Sequence, residues 1–155
     1  MLLDDITEAS LIHLIDEEII ENKVLEYKSE LPSDTDEDKK KFLANISSFA
    51  NASGGDILYG MDEDRDTGKP KELKGIKIEN VDQEILRLEQ MIRDGIEPNI
   101  PSSSIITQPI LLKNSNYALI IRVGRSWLAP HRISYKKSNR FYSRSTNGML
   151  SLIHI

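Results

Sequence analysis

Cysteine is absent from this chain of 155 residues, so disulfide frameworks, thiolate zinc sites and cysteine nucleophiles are excluded. Long apolar runs are missing too: no stretch approaches the ~20 consecutive apolar residues of a membrane span. The start of the chain, with Asp4, Asp5 and Glu8, has neither the basic beginning nor the apolar core of a secretory signal, so the expected location is the cytoplasm. A phosphate-cradling loop is also lacking. Gly54, Gly55 and Gly60 fit neither G-x-G-x-x-G nor G-x-x-x-x-G-K-[ST], and nothing here argues for ATP. Asp62, Asp64 and Asp66 alternate as calcium-loop ligands do, but Thr67 stands where such a loop needs Gly and Leu73 where it needs a bidentate Glu.

The most informative absence is one of charge. All 25 acids lie at or before Glu97, where they meet twelve Lys and Arg for a net charge of -13; residues 98–155 carry eight Lys and Arg and no acid, a net of +8. A basic, acid-free segment is the footprint expected for a polyanion, because phosphate neutralisation with counterion release supplies most sequence-independent affinity for nucleic acid. The same distribution arises if these cations face the acidic segment across one fold. Apolar residues at 39% and charged residues at 29% describe a soluble globular chain long enough for one domain with a real core.

The periodicities describe mixed α and β structure without internal repeats. Leu11, Ile12, Leu14, Ile15 and Ile19 follow a helical period, with Thr7 or Ser10 as the cap. Val24 to Lys28 alternates as a strand, placing Leu25 and Tyr27 on one face and Val24, Glu26 and Lys28 on the other. A second helix is expected from Asp38 to Ala52, its buried stripe formed by Phe42, Leu43, Ile46, Phe49 and Ala50. Asp56 to Met61 reads as an interior strand, and the glycines around it imply close backbone approach. A third helix from Asp82 to Asp94 precedes a hairpin of Ile105–Leu112 with Tyr117–Val123, and Arg140 to Ser145 forms a further strand. The expected fold is therefore α+β, with a mixed, mostly antiparallel sheet and two or three covering helices.

Without cysteine, phosphodiester cleavage would most simply use carboxylates holding Mg²⁺ or Mn²⁺, since hard cations prefer oxygen ligands. Glu21, Glu26 and Asp64 are the candidates, and Lys28, on the face of Glu26, could hold a scissile phosphate. The alternative for the three acids is plain solvated surface. His131 reads as a phosphate or base ligand or as a plain loop residue; Trp127, near Arg125 and Arg132, is either a stacking platform or cover for the core. Lys39, Lys40 and Lys41 oppose a helix dipole unless Asp36, Glu37 and Asp38 neutralise them.

Glu21 to Lys28 (E-N-K-V-L-E-Y-K) and Ile46 to Gly60 (I-S-S-F-A-N-A-S-G-G-D-I-L-Y-G), followed by Met61-Asp62-Glu63-Asp64, resemble the Schlafen AlbA-type domain, a family associated with DNA binding. Ile121-Arg122-Val123, Pro130-His131 and Tyr142-Ser143-Arg144-Ser145 extend the resemblance over Leu11 to Met149. It implies a nucleic-acid-binding module of a larger bacterial-type regulator, and the acid-free segment would supply the contacts to DNA or RNA through Arg122, Arg125, Arg132, Lys136, Lys137, Arg140 and Arg144. The animal relatives imply an alternative, a metal-dependent endoribonuclease of structured RNA such as tRNA, with its three acids on Glu21, Glu26 and Asp64, Lys28 beside them, and Mg²⁺ or Mn²⁺ as cofactor. Those relatives have two lobes forming a clamp, which a single lobe would reproduce only as a homodimer. Leu150 to Ile155 continue no pattern and reverse-translate to CTG TCT CTT ATA CAC ATC, the end of a transposon-based sequencing adapter. Residues 1–149 are accordingly expected to be the domain and 150–155 a non-native tail.

Overall fold

A computed structural model describes residues 2–135, 140–145 and 148–154. In chain order the elements are α1 (Glu8–Asp16), β1 (Leu25–Lys28), α2 (Asp36–Ala50), β2 (Gly55–Tyr59), β3 (Met61–Glu63), β4 (Pro70–Leu73), α3 (Val81–Gly95), β5 (Ile96–Glu97), β6 (Ile105–Leu111), β7 (Tyr117–Val123), β8 (Arg132–Ile133), β9 (Arg140–Ser145) and β10 (Gly148–His154). One sheet has the order β1-β2-β7-β6, with β1 parallel to β2 and the other pairs antiparallel; a second, antiparallel sheet has the order β10-β9-β8-β5. The class is α+β with mostly antiparallel strands, as the sequence implies. Residues 150–154, part of the segment expected to be a non-native tail, fall in β10, which pairs with β9.

Apolar residues of β2 and β7 pack on both faces of the first sheet, interrupted by the partly exposed Asp56–Arg122 pair. Ile57, Tyr59, Leu119, Ile121 and Val123 pack with α2 and α3, while Tyr27, Leu58, Ala118 and Ile120 pack with Leu3, Leu11 and Met61 on the opposite side. Helix α2 lies between the first sheet and the second, contacting β7 on one side and β8 and β9 on the other. Its burial is consequently an unbroken run from Phe42 to Ala50, wider than the single stripe its period predicts. Ser47 and Ser48 survive there because each hydroxyl donates to a carbonyl of the preceding turn, 3.2 Å to Ala44 and 2.7 Å to Asn45.

The helix ends follow local chemistry. Thr7 and Ser10 form a reciprocal capping box, and Thr35 caps α2 through the amide of Asp38. Asp36, Glu37 and Asp38 occupy the first turn of α2, so Lys39 to Lys41 follow acids already placed at the positive end of the dipole, and Lys41 pairs with Glu37 at 3.1 Å. No ligand is needed to explain them.

The expected strand from Asp56 to Met61 is in fact two. At Gly60 the backbone takes φ +98°, and a Cβ there would sit 2.9 Å from the Cα of Gly75. Only glycine accepts that turn, which carries the chain out of the main sheet and into the β3–β4 ribbon.

Candidate nucleic-acid interface

Strand β1 carries the first carboxylates. The turn before it is held by Asn22, whose side chain accepts from the amide of Val24 at 2.8 Å, and Glu21 accepts from the amide of Tyr27 at 3.3 Å. The carboxyl groups of Glu63 and Glu26 lie beside that of Glu21. Burial first, then the bond to and the charge of Glu63, push its pKa up to about 7. Glu26 lies on the opposite face of β1 from Tyr27, as alternation requires, and is buried toward β9. There Arg144 donates to it at 2.8 Å, with the arginine side chain 0% exposed. Burial raises the pKa of Glu26 and Arg144 opposes the rise. The same guanidinium donates to the carbonyls of Lys23 (2.9 Å) and Asn22 (3.0 Å) and lies 4.0 Å from the Phe49 ring centroid.

Asp64 does not join this group, which corrects the expectation of a Glu21–Glu26–Asp64 centre. Its Oδ1 accepts from the amides of Asp66 (2.9 Å) and Thr67 (3.3 Å), and its own amide and carbonyl bond to Lys69 and Gly68, so the residue is built into the turn before β4. The acid that reaches Glu21 is Glu63, within β3; Asp64 is one residue past that strand. Among the described residues no group of three or more Asp, Glu or His side chains could hold a metal ion. Glu21, Glu26 and Asp64 are therefore not gathered into one cluster among the described residues. Lys28 is exposed and lines, with Glu63, Arg65 and Lys77, a groove of about 1080 Å³.

Three expected phosphate-binding arginines are engaged by acids of the first 97 residues. Arg122 grips Asp56 with two bonds of 2.8 and 2.9 Å across the β2–β7 pair, Arg132 reaches Glu97 at 2.7 Å across the β5–β8 pair, and Arg144 holds Glu26. For these the segments' opposite charges meet inside one fold, and Arg144 has no path to a ligand. Arg125 and Arg140 are exposed, while Lys136 and Lys137 lie outside the described residues.

His131 proves to be structural. It is fully buried, with Nδ1 2.6 Å from the Pro98 carbonyl and Nε2 2.6 Å from Ser126 Oγ. Asn51, just past α2, accepts from the His131 amide at 2.6 Å and donates to the carbonyls of His131 and Tyr142, both at 2.8 Å. Sequence reasoning missed Asn51, Ser126 and Glu63. The F-A-N and P-H motifs were visible, but that one clamps the other is a contact across 80 residues. Between Ser126 and His131 the loop projects Trp127, which is 87% exposed, with the Arg125 guanidinium 5.2 Å from its ring centroid. Trp127 and Arg125 share a cleft of about 460 Å³ with Lys23 and the end of α2.

A family model described as Schlafen, AlbA_2 matches residues 21–151. The chain belongs to the Schlafen AlbA_2 family. Membership supports a nucleic-acid-binding role at the level of the family. Two motif pairs of this Schlafen AlbA_2 chain meet in space: E-Y-K to S-R-S through Glu26 and Arg144, and F-A-N to P-H through Asn51 and His131. The crystal structure of the DIP2311 protein from Corynebacterium diphtheriae has a similar fold, with a TM-score of 0.54 at 14% identity, over 93% of this chain and 26% of that one. The Schlafen AlbA_2 chain thus spans about a quarter of that protein's length, and no curated protein matches it. No described helix is long and apolar enough to cross a membrane.

Proposed function

We propose that this chain is a non-catalytic nucleic-acid-binding domain, for DNA or RNA, within a larger regulator. The observation that carries the reading is the cleft at the end of α2. Its cations, Lys23 and Arg125, are exposed and make no ion pair among the described residues, and none of its lining residues is acidic. By contrast Arg87, Arg122, Arg132 and Arg144 are all paired with acids. A pair of unpaired cations in an acid-free cleft attracts phosphate, and in water the attraction is felt over about a Debye length, ~10 Å at 0.1 M salt.

The endoribonuclease alternative has less behind it. Glu26 is committed to Arg144, Asp64 to its own turn, and both arrangements have structural work enough to explain why those acids are there. A binding isotherm decides the matter. For two phosphate contacts the logarithm of affinity should fall with the logarithm of salt at a slope of about -1.4 to -1.8. Reversing Arg125 and Lys23 to Glu should abolish binding while leaving the circular dichroism spectrum intact. Absence of binding at low salt would overturn the proposal, as would Mn²⁺-dependent RNA cleavage.

A further inference from the structure

We infer that the loop between β7 and β8 is a subsite for an unpaired base of single-stranded nucleic acid: Trp127 stacks on the base while Arg125 and Lys23 face the flanking phosphates. The inference rests on the nucleic-acid reading above and specifies its ligand.

The first argument is that the tryptophan is held out rather than left out. On one side, Ser126 is 4% exposed; its amide donates to the Ala50 carbonyl at 3.0 Å and its hydroxyl bonds to His131 and accepts from the Leu128 amide at 3.1 Å. On the other, His131 is buried and clamped by Asn51. The chain is thus pinned on both sides of an apolar ring that stays 87% in water. A loop free to relax would fold so large an apolar surface back onto the protein. A backbone held on both sides of the ring also favours binding, since less conformational entropy remains to be lost.

The second argument concerns ligand type. The Arg125 guanidinium covers one face of the indole, and the ring's exposure leaves the other to solvent. An open aromatic face beside cations suits a base with its backbone, because every base has a π-face and stacking needs no particular hydrogen-bond pattern. A duplex hides those faces. Three of the last four carbonyls of α2, whose partial negative charge opposes phosphate, are occupied by amides: Ser47 by that of Asn51, Phe49 by those of Ala52 and Gly54, and Ala50 by that of Ser126.

Trp127 is the sole tryptophan, so its fluorescence reads the site directly. The whole chain is titrated at low salt with an oligothymidylate and an oligouridylate of about 15 nucleotides, a blunt duplex, and an abasic strand of equal charge. Expected are quenching by one or both single strands, the two arms identifying the sugar, and affinity for that strand ~5–100-fold above the abasic one. Trp127→Ala should erase this preference at an unchanged urea midpoint, and Trp127→Phe should retain most of it. If the abasic strand binds as tightly as the others, or Trp127→Ala leaves the preference intact, the stacking site is wrong and nucleic-acid binding stands. If no probe binds, both readings fall together.

Discussion

Replacing Arg144 by Met isolates the largest buried electrostatic commitment in the fold. The guanidinium makes the 2.8 Å bond to Glu26, two bonds to backbone carbonyls and the stack on Phe49, all with its side chain out of solvent. Methionine keeps much of the volume but leaves Glu26 buried without its partner. Breaking one side of such a pair costs ~3–5 kcal/mol. With an m-value of ~2 kcal/mol/M, the urea midpoint should fall by about 1.5–2.5 M. Unfolding should be followed by far-UV circular dichroism, because the exposed Trp127 changes environment little on unfolding. The loss should shrink in acid, since a protonated Glu26 no longer needs a cation, and adding Glu26→Gln to the variant should recover part of it. Arg122→Met is the internal control: its pair with Asp56 is partly exposed, and its removal should cost only ~1 kcal/mol. Equal losses for the two arginines, or a loss under ~1 kcal/mol for Arg144, would refute the claim that Arg144 is structural.

Glu21 supplies a pH test. Its folded pKa is pushed up to about 7 from 4.5, so the folded state holds a proton that the unfolded chain has released. That stabilisation is fully present below 4.5 and is lost as pH rises through 7. Glu21→Gln should therefore raise stability at pH 8 by ~1–2 kcal/mol, after discounting for partial exposure, and make no difference near pH 4, as read by urea melts at the two pH values. Gly54, at φ +78°, would place a Cβ 2.6 Å from the Val123 carbonyl oxygen and 2.9 Å from the Arg125 nitrogen. Gly54→Ala should cost at least ~2 kcal/mol by thermal melting and also weaken oligonucleotide binding, because the atoms displaced begin the Trp127 loop.

Local chemistry alone carried much of this fold. The periods of α1, α2 and α3, the alternation that put Tyr27 and Glu26 on opposite faces, and the β6–β7 hairpin are all written in neighbouring residues, as are the motifs that mark the family. Gly60 shows the limit: its presence was plain, but that it splits one strand into two follows from the approach of Gly75, fifteen residues on. The candidate site was less legible still. The family resemblance nominated Asp64, and only the exit of the chain at Gly60 brought Glu63 to Glu21 instead. The division of charge was in the sequence from the start, yet it is equally compatible with a polyanion and with internal pairing. Tertiary structure separated the two residue by residue, giving Arg122, Arg132 and Arg144 to acids and leaving Arg125 in the open beside Trp127. The physical reason is that periodicity is set by bonds along the chain, whereas the partner of a charge is set by what folding brings within a few ångströms of it.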